Sequence, residues 1–282
     1  MNPANSLVHA YFKAFPESRA VVYGTLQGTF TSGDDLVDKN LKPMIDWVYG
    51  KIADMVAPKE LTAAQALMYI EELSVFARYN AQFLKQAAAS VEGFCFELAQ
   101  ELRRNHLEEG GDRGKIPAHY VLYTNALLSD LGVLVNGHVP APETHVLLTL
   151  HDLMVTSHAP SIICGGYYAT EGVAIAETEI LRDITDRYGE LTSEATGSGL
   201  KNLDFYYRLH LDDDHVAAGV DGLSVEAAHI EGIAQFIRNS ETFGINLPQA
   251  LDGFLQIMEG MTHWWTQLAV RSREMINEHN PQ

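Results

Sequence analysis

From Ser32 to the C-terminus the apolar residues of this chain recur three and four positions apart, and no run of alternating β-branched residues appears. That period buries one stripe of each helix and leaves nothing from which to build a sheet, so the expected fold class is all-α. Local signals set the boundaries. Ser32 ahead of Asp34 and Asp35 reads as a helix start, with the helix running to about Met55. Pro58 interrupts, and Thr62 opens a long helix through Leu67, Ile70, Leu73, Phe76 and Phe83. After a break near Ser90, another helix ends at Glu108-Glu109-Gly110-Gly111. Further helices are predicted over 118–131, 143–159, 161–188, 203–220 and 224–237, and the last has Pro248 in its first turn and ends near Ile276. Residues 1–30 read as irregular, apart from a short helix near 7–15. With no repeat and no linker, residues 1–282 are expected to form one domain, in which 1–60 is a variable N-terminal helical segment.

Composition narrows the function. The 282 residues are 46% hydrophobic and 20% charged, enough for a packed core and too apolar for a disordered chain. Asp and Glu number 37 against 19 Lys and Arg, a net charge of −18. Phosphate backbones and anionic membranes are repelled, so neither nucleic acid nor membrane is an expected partner. The most apolar stretch, 146–176, is interrupted by His151, Asp152, His158 and Pro160, and reads as a buried helix pair. The first residues lack the basic-then-apolar pattern of a signal peptide, and two cysteines, Cys95 and Cys164, cannot frame a disulfide scaffold; a reducing cytoplasm is expected.

There is no Gly-rich phosphate loop, no paired Cys at metal spacing and no Gly-x-Ser-x-Gly. What remains is imidazole and carboxylate chemistry on helices, which in all-α proteins most often serves a metal. In 105–111, Glu109 ends one helix and His119 begins the next, so a short loop can fold them toward one ion; the ordinary alternative is a solvated helix end. Glu171 lies in the most apolar helix pair, where a buried carboxylate must be paired, protonated or bound to metal. The small residues around it, including Gly165 and Gly166, suit a close helix approach or room for a ligand. In 206–215, His210 and Asp214 share one helical face with the apolar residues, whereas Arg208, Asp212 and His215 share nearly the opposite one. His151 with His158, and Glu226 with His229, read as surface or supporting residues, since a ferritin-like diiron bundle needs two Glu-x-x-His motifs and this chain offers one.

Together these segments resemble the haem-oxygenase-like diiron oxidases, the superfamily that also holds the chlamydial death-domain-associated protein and its bacterial relatives. That family shows Asn-Leu-x-x-Glu-x-Gly with a His about ten residues on, then Tyr-Ala-x-Glu, then Phe-Phe-x-x-His-x-x-x-Asp-x-x-His. Here the pieces stand as Asn105 to Gly111 with His119, as Tyr168-Ala169-Thr170-Glu171, and as Tyr206-Tyr207-Arg208-Leu209-His210 with Asp214 and His215. His106 stands where the family has Leu. The last piece departs from the pattern: from His210, Asp214 is in place but Ala217 takes the final His position; from His215, Asp212 is in place but Arg208 takes the first.

The resemblance implies a single haem-oxygenase-like helical bundle holding two Fe(II) ions, with O₂ as co-substrate. Glu109, His119, Glu171, His210 and Asp214 would be ligands, His215 completing the set, and an external electron donor could be required. The substrate would be a small amino-acid-, amine- or fatty-acid-like molecule undergoing N-oxygenation, desaturation or oxidative C–C cleavage in specialised metabolism. Val155, Ile162, Ile163 and Tyr167 are the expected pocket lining. The broken third piece keeps open a mononuclear-metal or cofactor-independent oxidase on the same scaffold, and a non-catalytic helical binding protein. Trp264, Trp265 and Leu268 on the last helix fit a homodimer face or core packing equally.

Overall fold

The computed structural model describes residues 22, 30–111, 117–192, 200–211 and 225–279. Helices account for the regular structure of these residues, with no strand among them. They are α1 (Gly33–Leu36), α2 (Lys42–Val56), α3 (Ala63–Val91), α4 (Phe96–Glu109), α5 (His119–Leu131), α6 (Pro142–Val155), α7 (Pro160–Thr192), α8 (Lys201–Leu211), α9 (Val225–Arg238), α10 (Ser240–Phe243) and α11 (Leu247–His279). The expected short helix at 7–15 lies outside the described residues, as do Asp212, Asp214, His215 and the second half of the helix expected over 203–220.

The boundaries form where the local chemistry asks for them. Ser32 caps α1 by accepting from the Asp35 amide. The helix expected from there to Met55 is interrupted by a π-helical turn, Val37–Leu41, before α2. Thr62 and Gln65 form a reciprocal capping box at the start of α3. Pro142 and Pro160 open α6 and α7 instead of kinking them, because a first-turn proline lacks only an N–H that would have no helical partner.

The long helices α7 and α11 pack along each other at the centre, with α2, α3 and α9 around α7. A Cβ at Gly165 would overlap the Ala250 carbonyl of α11, so the small residues before Glu171 serve close helix approach. Trp264, Trp265 and Leu268 are wholly buried in this chain's own core and present no face to a second copy. Glu72, with no exposure, accepts from the Ala141 amide and the Thr144 hydroxyl and meets His138 and Arg271, which fastens the α5–α6 connection onto α3. No helix among the described residues is long and apolar enough to cross a membrane.

Candidate metal centre

Five helices converge on one buried cluster. Glu109 is the last residue of α4 and His119 the first of α5, and their side chains meet in the cluster. Glu171 comes from the middle of α7, His210 from the end of α8, and Glu226 and His229 from the first turn of α9. Glu171, His210, Glu226 and His229 are at most 4% exposed, and His119 is 7% exposed.

Glu109 Oε1 lies 3.1 Å from His119 Nδ1 and 3.9 Å from His229 Nδ1. His210 Nε2 lies 3.2 Å from His119 Nδ1 and 3.9 Å from Glu226 Oε1. His229 Nδ1 is 3.4 Å from Glu171 Oε2. Ligand atoms of Glu109, Glu226 and His229 all fall within 4.8 Å of one another.

Hydrogen bonds on the outer side of the rings fix which nitrogen faces in. His210 Nδ1 donates to the Tyr206 carbonyl at 2.7 Å, leaving the Nε2 lone pair toward the cluster. His229 Nε2 donates to Glu108 at 2.6 Å, and Glu108 in turn takes a two-pronged contact from Arg104 at 3.0 and 3.1 Å. His229 Nδ1 and Glu171 Oε1 are buried without a hydrogen-bond partner. An orphan donor or acceptor in a folded interior calls for an explanation, and two of those among the described residues belong to this cluster.

The electrostatics are those of acids and imidazoles crowded together in a buried space. Burial pushes the Glu109 carboxyl up, but His119 and the neighbouring imidazoles outweigh it and bring it down to about 2. Burial and the Glu109 carboxylate push Glu226 up to about 8. Burial and the facing His119 push His210 down to about 4. His119 and His229 are raised despite burial, His119 by Glu109 and His229 by Glu108 and Glu171. Three carboxylates and three imidazoles in nearly dry surroundings can hold hard or borderline divalent cations such as iron or manganese, and the orphan atoms are where such cations would be bound.

Of the residues expected from sequence, Glu109, His119, Glu171 and His210 are brought together, and Arg208 is exposed on the far side of α8, 3.9 Å from Asp204. Asp214 and His215 lie outside the described residues. The surface reading of Glu226 and His229 is corrected: both are buried in the cluster. The signal was present. From His210, the family pattern places the acid-x-x-His pair at 214 and 217, where this chain has Asp214 and Ala217; Glu226 and His229 carry the same spacing 12 positions later. The demand for two Glu-x-x-His motifs misled because the first acid–imidazole pair is made between two helices, by Glu109 at the end of α4 and His119 at the start of α5. His151 is corrected as well. It is wholly buried against Phe76 and Phe83, bonded to the Leu147 carbonyl and Thr170, while His158 is exposed beside Ser90.

A cavity of about 100 Å³ opens beside the cluster, bordered by Glu109, Glu171, His210 and Glu226 and continuing along α7 past Ala174 and Thr178. Leu73, Phe76 and Ala77 of α3 form its apolar wall. Val155, Ile162, Ile163 and Tyr167 are not among the residues that line it. Val155, Ile163 and Tyr167 are fully buried in the core, and Ile162 backs onto Gly253 of α11.

The family described as "Domain of Unknown Function with solved-structure structure (DUF3865)" matches residues 50–271. The chain is similar to the crystal structure of a CADD-like protein of unknown function from Nostoc punctiforme, with a TM-score of 0.64 at 21% identity, covering 91% of this chain and 98% of that one. It is also similar to a domain of unknown function with a heme oxygenase-like fold from Shewanella denitrificans, with a TM-score of 0.61 at 14% identity, covering 86% and 95%. The all-α bundle is thus a heme oxygenase-like fold. No curated protein matches the chain.

Proposed function

The chain belongs to the DUF3865 family, and from its heme oxygenase-like fold and its buried acid–imidazole cluster we propose that it is a nonhaem diiron oxidase or oxygenase that uses O₂ on a small organic substrate. The observation that carries the reading is the convergence of Glu109, His119, Glu171, His210, Glu226 and His229 from five helices, with His229 Nδ1 and Glu171 Oε1 lacking a hydrogen-bond partner. The proposed ligand set takes Glu226 and His229 for the acid-x-x-His positions expected at the end of α8. When bound, two iron ions would supply the O₂-activating redox chemistry that no side chain here offers.

The chain's own residues have definable parts. The Tyr206 carbonyl and Glu108 hold His210 and His229 in the tautomers whose inner nitrogens are free to bind a cation. The apolar wall from α3 keeps bulk water from the cluster, which strengthens every charge interaction inside it. The cavity beside Glu171 and Glu226 gives a substrate a place against the ligands.

The test is iron content after anaerobic loading with Fe(II), followed by O₂ uptake on mixing with air. Wild type should retain about two irons per chain, as carboxylate-bridged helical sites do, and Glu171→Ala should retain neither the iron nor the uptake. Well-folded protein that keeps no iron under these conditions removes the proposal; one iron per chain would favour a mononuclear site.

A further inference from the structure

The cavity beside the cluster has a second acid at its other end. Glu177, six residues beyond Glu171 on α7, is held by two long-range hydrogen bonds to a single oxygen. Tyr49 Oη of α2 donates to Oε1 at 2.6 Å, and Trp265 Nε1 of α11 donates to the same atom at 2.9 Å. The other oxygen, Oε2, takes no hydrogen bond among the described residues, and the residue lines the cavity. None of the cavity's lining residues is Lys or Arg. In the metal-free chain a carboxylate guest would meet four glutamates, whereas an ammonium guest would meet a Glu177 oxygen that takes no hydrogen bond among the described residues.

We propose that Glu177 is the specificity residue of this site, and that it binds the ammonium group of an aliphatic primary amine whose chain runs back along α7 toward Glu171. This deepens the oxidase reading and rests on it for the role of the cluster, though not for the binding itself. Six residues of helix separate Glu171 from Glu177, a rise of about 9 Å, or about seven bonds of extended chain. That is the length of an amine near hexylamine. Burial pushes the Glu177 carboxyl up and the Tyr49 and Trp265 hydrogen bonds pull it back, so an arriving cation settles the group as the carboxylate.

The experiment is equilibrium binding by calorimetry to the full chain, metal-free and Mn(II)-loaded, with butylamine, hexylamine, decylamine and hexanoate as probes. Hexylamine should bind best of the four. Glu177→Gln keeps an acceptor for Tyr49 and Trp265 and should weaken hexylamine about tenfold, the difference between a charge-assisted and a neutral hydrogen bond, without changing hexanoate. Ala77→Phe fills the opposite wall and should abolish hexylamine binding with Glu177 intact, which keeps the test decisive if the first variant folds poorly. Hexanoate binding the metal-free protein as tightly as hexylamine does, or hexylamine affinity unchanged in both variants, overturns the proposal. Glu177-dependent hexylamine binding in a protein that takes up no metal would sink the oxidase reading and leave this one standing. Metal uptake without amine binding would do the reverse.

Discussion

Glu108 shows how a residue outside the cluster governs one inside it. Its carboxylate receives the His229 Nε2 proton at 2.6 Å and is itself held by Arg104, so the His229 ring can neither rotate nor change tautomer freely. An imidazole whose outer N–H is fixed in this way offers its inner nitrogen as a stronger and better-aimed ligand. Removing the acid leaves the ring in place, since His229 has no exposure, but frees its proton to move. Glu108→Ala is therefore expected to weaken Mn(II) binding by about 10- to 100-fold, measured by competition with a chelating dye. Glu108→Gln, whose amide oxygen can still accept from Nε2, should lose less. Equal affinity in wild type and both variants would mean that His229 is not a ligand.

At the level of elements, the two long helices at the centre decide how accurately the site is built. Glu171 stands on α7 less than two turns after Gly165, where α7 and α11 approach so closely that a Cβ would strike the Ala250 carbonyl. Backbone on one side of a contact cannot yield as a flexible side chain can, so Gly165→Ala should force the helices apart, at a cost of about 1–3 kcal/mol in denaturant unfolding. Fluorescence of the buried Trp264 and Trp265 on α11 would report the shift. A variant with unchanged stability would show that the crossing is looser than the glycine contact implies.

Such helices were largely legible in the sequence, because caps, prolines and the 3.6-residue period act within a few positions. Ser32, Thr62, Pro142 and Pro160 mark starts that the structure keeps. Glu109, His119, Glu171 and His210 were legible because their spacings within and between helices were expected ones. Glu226 and His229 were not, because they lie 12 positions beyond that register and on a separate helix, and which face α9 buries is decided by packing against α4, α7 and α8. Glu177 was invisible for a similar reason. Nothing local distinguishes it from the exposed Glu179 two residues on; Tyr49 and Trp265, far away in sequence, do.

On the scale of the whole molecule, the fold gathers acids that repel one another, and this sets stability against cation binding. Glu226 is pushed up to about 8, first by burial and then by the Glu109 carboxylate. Its folded value lies above the ordinary 4.5, so above that pH the folded chain holds a proton that the unfolded chain has released. Stability from this group therefore falls as pH rises from 4.5 and is fully lost above 8. Glu226→Gln removes the titration while keeping the shape. In metal-free protein at pH 8.5 the variant should melt higher than wild type, by roughly 2–4 °C for each kcal/mol recovered, and at pH 4.5 the two should melt nearly together. Mn(II) should reverse the order at pH 8.5, because a cation that binds only the folded state raises its melting temperature in proportion to affinity, and the variant lacks one charged ligand. Scanning calorimetry of both proteins, with and without Mn(II), reads all four conditions. Should the metal-free proteins melt alike at pH 8.5 and gain equally from Mn(II), Glu226 neither carries the repulsion nor takes part in relieving it. The convergence of five helices on these groups would then be a feature of packing alone.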